Sequence, residues 1–319
     1  RRSESILDRQ GRVLAQLVAP PRKDASWRGV PAGASAELRD AAAICPFSPD
    51  QLRHARGRYP ALSAGYSWGG GPTRPKNASF YNDDQAAVAE GLLNSRNVGR
   101  ILGHGSSAFA TFNNECFEHY AAVLQDIRTR QPELRPPSAN SVFPSVTFNF
   151  GPQAVTVPHR DAKNVPYGWC AVTALGDFDH ERGGHLVLWD LQLVIEFPAG
   201  STILIPSALI THSNASIQPG ETRQSITQFC AGALIRWHAY GFRTEAAMRR
   251  QDRDLGRAFD DAATTRWGEM LSYLPTWEGV DVGGGAADGG PEPLETPGAG
   301  PSKQPRWEPG AGPSKHTQE

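Results

Sequence analysis

No run of apolar residues in this chain comes near the ~20 that a membrane-spanning helix needs, so the sequence predicts no such span. Cysteine is scarce. Cys45, Cys116, Cys170 and Cys230 stand apart with no CxxC pair, which argues against a zinc knuckle and a disulfide framework. The four are expected as reduced thiols, as in an intracellular protein. Net charge is nearly absent: 32 Lys and Arg against 33 Asp and Glu leave −1, so whole-chain charge selects no polyanionic partner, although local charge still can. The loop Ser67-Trp68-Gly69-Gly70-Gly71-Pro72 lacks the trailing Gly-Lys-Ser/Thr of a phosphate loop and reads as a tight turn. The opening Arg1-Arg2-Ser3-Glu4 does not read as a signal peptide. With Arg rather than Met first, the chain is compatible with a fragment.

What is present falls into three stretches. Residues 1–58 carry 11 Lys and Arg against six Asp and Glu. They read as a solvated, Arg-rich arm or linker with a short helix near 4–17 and another near 35–43; contact with nucleic acid is the sharper reading. Residues 59–278 form the expected folded domain. Helices are predicted over 84–94 and 107–130 from apolar and aromatic spacing, and over 243–272 with Leu255, Phe259, Trp267 and Leu271 inward. Between them, from 143 to 242, short β-rich runs alternate with Gly/Pro turns: 143–150, 154–158, 169–175, 185–189, 193–197, 201–206, 209–213, 224–230 and 233–240. This predicts an α+β chain with a mainly β core, a double-stranded β-helix of the jelly-roll or cupin kind, flanked by helices. Residues 279–319 are Gly/Pro-rich, with PGAGPSK at 297–303 and again at 309–315, and are expected to be a disordered tail.

One constellation inside the β region carries chemistry. His159-Arg160-Asp161 follows a β run, and a two-residue offset lets an imidazole and a carboxylate point the same way from extended backbone. His212 comes 51 positions after Asp161. Two imidazoles and one carboxylate on one face of a metal leave the other face open, the facial triad of non-haem Fe(II) oxygenases. Arg223 lies 11 positions after His212 and Ser225 follows it. A guanidinium with a neighbouring hydroxyl suits the distal carboxylate of 2-oxoglutarate. His185 is a weaker ligand candidate, because no Arg-x-Ser follows it at hairpin distance; Arg223 could instead form an ordinary ion pair with Glu221 or a nearby acid.

These residues also carry a family resemblance. Residues 143–245 resemble the TET/JBP class of 2-oxoglutarate/Fe(II) dioxygenases, which oxidise the methyl group of nucleic-acid pyrimidines, and most of all its expanded, transposon-associated fungal branch. The run from Phe148-Asn149-Phe150-Gly151-Pro152 to Gly241-Phe242 carries the likeness, with Asp177-Phe178-Asp179, Leu188-Trp189-Asp190, Glu196-Phe197-Pro198 and His212-Ser213-Asn214 inside it. Ser67-Trp68-Gly69-Gly70-Gly71 extends it to about 60–245. The resemblance implies Fe(II) on His159, Asp161 and His212, and 2-oxoglutarate on Arg223 and Ser225, with Asn149 near the cosubstrate or base. It further implies Asn164 in contact with the target base and Phe229 stacking on it; the plainer alternatives are loop capping for Asn164 and core packing for Phe229. One departure stands out: where better-known members carry a base-reading histidine eight residues after the arginine, this chain has Ala231.

The expected activity is therefore Fe(II)- and 2-oxoglutarate-dependent oxidation of a methylated, 5-methylcytosine-like base in DNA. O₂ is the co-reactant, succinate and CO₂ are released, and the base is flipped out of the duplex. An intracellular, nuclear setting follows from that substrate. The alternatives are a protein or small-molecule hydroxylase of the prolyl-hydroxylase type, and a catalytically silent nucleic-acid-binding relative.

Overall fold

The computed structural model describes residues 2–21 and 24–277. In chain order the strands and helices are β1 (Glu4–Leu7), β2 (Val13–Val18), α1 (Val30–Ile44), β3 (Arg53–His54), β4 (Gly57–Arg58), β5 (Ala61–Ser67), β6 (Lys76–Asn77), α2 (Asp83–Asn94), α3 (Arg96–Phe112) and α4 (Asn114–Arg130). The β core continues with β7 (Ser145–Asn149), β8 (Cys170–Asp177), β9 (Leu186–Leu188), β10 (Leu193–Ile195), β11 (Thr202–Ile205), β12 (His212–Asn214) and β13 (Thr222–Phe229). Four helices follow: α5 (Gly232–Ala239), α6 (Glu245–Gln251), α7 (Arg253–Asp261) and α8 (Arg266–Ser272).

Two sheets make the expected jelly-roll core. The larger runs β1-β2-β11-β8-β13-β7-β5-β6 and the smaller runs β10-β9-β12. Side chains alternate across the large sheet and give its faces different partners. On one face Val146, Phe148, Leu175 and Ile226 pack under helices through Leu38, Leu92, Ile101 and Leu102. On the other, Ala15, Ala174, Ile203 and Ile205 meet Leu186 and Leu188 of the small sheet. That second face turns polar along β7 and β13, where Ser145, Thr147, Asn149, Ser225 and Thr227 are buried. No helix among the described residues is long and apolar enough to cross a membrane. All four cysteines are free and buried.

Several expected elements come out differently. The helix expected near 4–17 is the β1–β2 hairpin. Asp8 makes its turn by accepting from the amides of Gln10 and Arg12, and Gly11 supplies the positive φ, +76°. β2 then pairs with β11, so this part of the expected arm belongs to the main sheet. The piece near 35–43 lies within α1, whose Ala34, Leu38 and Ala41 are buried. The predicted helix 107–130 is two helices. Asn113 leaves helical geometry at φ −151°, and its side chain caps α4 by accepting from Cys116 N.

The predicted helix 243–272 is three short ones, started by Thr244 on Ala247 N and Asp252 on Leu255 N. Of its expected inward residues, Trp267 is 51% exposed. Run 233–240 is helix α5, because Leu234 and Trp237 are buried at helical spacing. Run 154–158 forms no named strand. The expected tail, 279–319, lies outside the described residues.

Two histidines set an acid limit on stability. His104 on α3 packs against Trp27 with ring centroids 4.8 Å apart, and His119 on α4 meets the Tyr167 hydroxyl at 2.9 Å. Burial lowers both from the ordinary 6.5 to about 4. The unfolded chain protonates them near 6.5 and the folded chain only near 4, so stability is full above pH 6.5 and is lost progressively as pH falls from 6.5 to 4. Each site costs about 2 kcal/mol on going from pH 7 to 5. Denaturant midpoints should fall accordingly at pH 5. His104→Leu should remove about half of the drop that the two sites cause; an unchanged pH dependence would show that His104 is not the group responsible.

Candidate metal centre and anion pocket

The chain brings His159, Asp161 and His212 together as the sequence predicts. His159 N donates to His212 O at 3.1 Å and His212 N returns the bond to His159 O at 3.0 Å. This reciprocal pair sets the two imidazoles side by side, with ring centroids 4.3 Å apart. Asp161 follows at a two-residue offset, its amide tied to Ser207 O at 2.9 Å. One carboxylate oxygen lies 3.9 Å from His159 Nε2, and the other lies 3.9 Å from His212 Nε2. With one donor atom taken from each residue, all three lie within 4.8 Å of one another, so small side-chain adjustments would let one first-row ion at about 2.1 Å from each be shared among them.

The outer nitrogens are committed as metal-binding histidines require. His159 Nδ1 lies 2.8 Å from Val157 O, and His212 Nδ1 lies 2.9 Å from Ile210 O. A carbonyl can only accept, so each Nδ1 carries the proton and each Nε2 offers its lone pair to the shared point. Burial, and then the neighbouring His159, hold His212 below the ordinary imidazole range and keep it neutral. Among the described residues, this is the one cluster of three such ligand groups. His185 lies outside it, while His180 and His238 pair with Glu196 and Asp126.

Arg223, on β13, is 1% exposed. Its Nη1 donates to Ala154 O at 2.6 Å and its Nε has no partner. Burial lowers it to about 10, which leaves it charged at neutral pH. The simple pairing with Glu221 does not occur, because that carboxylate accepts from Asp179 N at 2.8 Å and Gln218 N at 2.7 Å. A buried guanidinium without a carboxylate is costly unless something anionic completes it. The guanidinium therefore suits an anionic group such as a carboxylate.

Ser225, two residues along the same face, is 3.0 Å from Asn149 Nδ2, and Asn149 Oδ1 is buried with no partner. Asn164 is placed differently. Its Nδ2 donates to Ser207 Oγ at 3.2 Å and Cys170 Sγ at 3.3 Å, which spends that donor inside the fold. Phe229 is half-buried at the far end of β13, on the face that carries Arg223 and Ser225. Ala231 is buried and bridges to Asn164.

Two features are not legible in the sequence. One is the β3–β4 hairpin, which puts Arg53 opposite Arg58 and carries Arg56 between them. It is held to the loop before the triad by Val157 N donating to Arg56 O at 2.9 Å. An open cleft lined by Arg53, His54, Gly57, Arg58 and Val157 lies there. The other is Tyr59, directly after the hairpin, 2% exposed with a partnerless hydroxyl. Only the Arg-rich composition hints at the first, and nothing in Arg58-Tyr59-Pro60 hints at the second.

No family model matches the chain, and no curated protein does. Solved structures do. NgTET1 in complex with 5mC DNA is similar with a TM-score of 0.51 at 13% identity, over 72% of this chain and 76% of that one. An oxidoreductase of the 2OG-Fe(II) oxygenase family from Burkholderia pseudomallei is 18% identical over 61% of this chain and 76% of its own, with a TM-score of 0.32. The viral collagen prolyl hydroxylase from Paramecium Bursaria Chlorella virus-1 is 17% identical over 28% of this chain and 59% of its own, with a TM-score of 0.23. At these identities the likeness is one of fold alone: the chain shares the fold of NgTET1 and carries a His-Asp-His cluster that could hold a metal ion.

Proposed function

We propose that the chain is an Fe(II)- and 2-oxoglutarate-dependent dioxygenase that oxidises a methylated base in DNA. The observation that carries the chemistry is one metal-ligand cluster, with His212 on the small sheet, together with a buried guanidinium on β13 of the large sheet that lacks a carboxylate. Iron(II) and 2-oxoglutarate, when bound, supply O₂ activation, with succinate and CO₂ released and one oxygen inserted into a C–H bond. His159, Asp161 and His212 hold the metal and leave its other side open. Arg223 binds the distal carboxylate and Ser225 adds a hydroxyl beside it, with Asn149 next in the row. The apolar small-sheet side, through Leu186, Leu188 and Ile210, keeps water from that flank.

The DNA substrate is supported by charge at the mouth. Arg53, Arg56 and Arg58 crowd a six-residue hairpin beside the triad, in a chain whose net charge is −1. Clustered arginines suit a row of phosphates. A flipped base would then reach the metal, with Phe229 as stacking surface and Asn164 as the contact the resemblance implies. With Ala231 in place of histidine, base discrimination falls to other groups, and 5-methylcytosine is one candidate among methylated bases. NgTET1, the neighbour of shared fold, is itself solved with 5mC DNA. A nuclear place of action follows from this substrate.

Methylated duplex DNA, incubated with the chain, Fe(II) and 2-oxoglutarate and then digested for mass spectrometry, should yield oxidised nucleoside. An unchanged nucleoside profile alongside succinate formation would reject DNA and favour a peptide or small molecule. In a binding assay, the triple variant Arg53→Ala, Arg56→Ala, Arg58→Ala should weaken DNA binding about tenfold or more near 0.15 M salt. It should also flatten the log–log salt dependence by about 2–3, one for each phosphate that no longer has its arginine.

A further inference from the structure

Among the polar atoms buried without a partner are Arg223 Nε, Asn149 Oδ1 and the Tyr59 hydroxyl, with His54 Nδ1 beside the last. The first two belong to residues already placed against the cosubstrate; Tyr59 does not. Its ring is fixed. It stands edge-on to His54 with centroids 4.4 Å apart and planes at 83°, while His54 Nε2 lies 3.0 Å from the Tyr59 carbonyl. Gly57 closes over it, since a Cβ there would come within 3.0 Å of the ring. The phenol is therefore enclosed by the hairpin, 2% exposed.

The charged groups that act on this phenol are Arg56, Arg223 and Asp161. Strand register puts it beside the anion clamp: Ala61 and Ser225 both pair with Asn149, so two residues further along Tyr59 and Arg223 flank Gly151, which has no side chain to part them. Burial raises it above the ordinary phenol range, so it is a donor throughout the physiological range. A buried tyrosine hydroxyl normally finds a partner, and a phenylalanine would fill the same cage without leaving a donor orphaned. Two donors on neighbouring strands, Arg223 Nε and the phenol, are thus buried without an acceptor.

We infer that the Tyr59 hydroxyl donates to the carboxylate of the 2-oxo acid that Arg223 holds, making the clamp a guanidinium–phenol pair. This rests on the reading of Arg223 as the anion clamp. It assigns a binding role to a residue far from the β-helix core in sequence, delivered by the same hairpin that lines the mouth.

The test is calorimetric titration of 2-oxoglutarate into the full chain loaded with Mn(II), a redox-silent stand-in for iron. A hydrogen bond to a charged group predicts that Tyr59→Phe weakens 2-oxoglutarate about tenfold to hundredfold. Mn(II) affinity without the oxo acid should stay at the parent's value, and the melting temperature should not fall. Tyr59→Leu, which also removes the ring, should lower the melting temperature and shows what a packing role looks like. Unchanged 2-oxoglutarate affinity in Tyr59→Phe, with Arg223→Ala impaired, overturns the role of Tyr59 and leaves the pocket's reading intact. A parent chain that takes up Mn(II) but no 2-oxoglutarate overturns both.

Discussion

Replacing Arg223 with Met should abolish 2-oxoglutarate binding and make the ligand-free protein more stable. The two halves have one cause. The guanidinium is 1% exposed, has a single carbonyl partner and carries a positive charge. Taking a charge out of water costs several kcal/mol, and one neutral acceptor does not offset that. An apolar side chain of similar length removes the penalty, so the ligand-free variant should gain about 1–3 kcal/mol, which moves the melting temperature up by several degrees. The bound state loses a charge-assisted, two-pronged contact worth about 3–5 kcal/mol, and affinity should fall by a factor of roughly 100–1,000 or more. Millimolar 2-oxoglutarate should therefore raise the melting temperature of the parent and leave Arg223→Met unmoved. A variant that melts lower and still responds to the ligand would show that Arg223 is structural.

Removing any one metal ligand should have the second-largest effect. Asp161→Ala, His159→Ala and His212→Ala should each weaken Fe(II) or Mn(II) binding by more than about 100-fold, since even outer-shell partners of metal ligands are worth 10–100-fold. Stability should change little for Asp161→Ala, whose carboxylate lies against its two imidazole neighbours. Acid should act in the same direction as these variants, because a protonated imidazole cannot bind metal. His212 is held below the ordinary range by burial and by His159, so it stays neutral and competent somewhat below pH 6.5. Its contribution is lost only as pH falls further. Metal affinity that rises on acidification would contradict the assignment.

The candidate metal ligands are legible in the sequence because the chemistry restricts residue type and because His-x-Asp, a distant His and Arg-x-Ser keep their spacing along strands. Their convergence is a matter of register: a single reciprocal pairing of His159 with His212 brings the set together. Segment types at the chain's N-terminus are harder to read. Ile6, Leu7, Val13 and Leu14 fit either period over so short a stretch, and what decides for strand is pairing with β11, far along the chain. The run ALIRWHAY alternates as a strand would, yet Leu234 and Trp237 bury as a helix. Asn113 reads as one polar residue inside a helix until its side chain is seen capping the next one.

Within the site, what escapes the sequence is whatever depends on an unmet hydrogen bond. Tyr59 looks like any tyrosine before a proline, and only its buried, partnerless hydroxyl marks it. The arginine hairpin is visible in the sequence only as composition, which suggests a free arm; packing against Val157 puts it at the mouth. Asn164 shows the converse. The resemblance gives it to the base, whereas its amide nitrogen points to Ser207 and Cys170.

Whether iron and an oxo acid react in this pocket is decided by the conversion of 2-oxoglutarate to succinate by the Fe(II)-loaded chain, compared with Asp161→Ala under the same conditions. The parent should form succinate in an iron-dependent way, faster with methylated DNA, and the variant should form none. An iron-supplied parent that produces no succinate, or a variant that produces as much, would refute the assignment of this site.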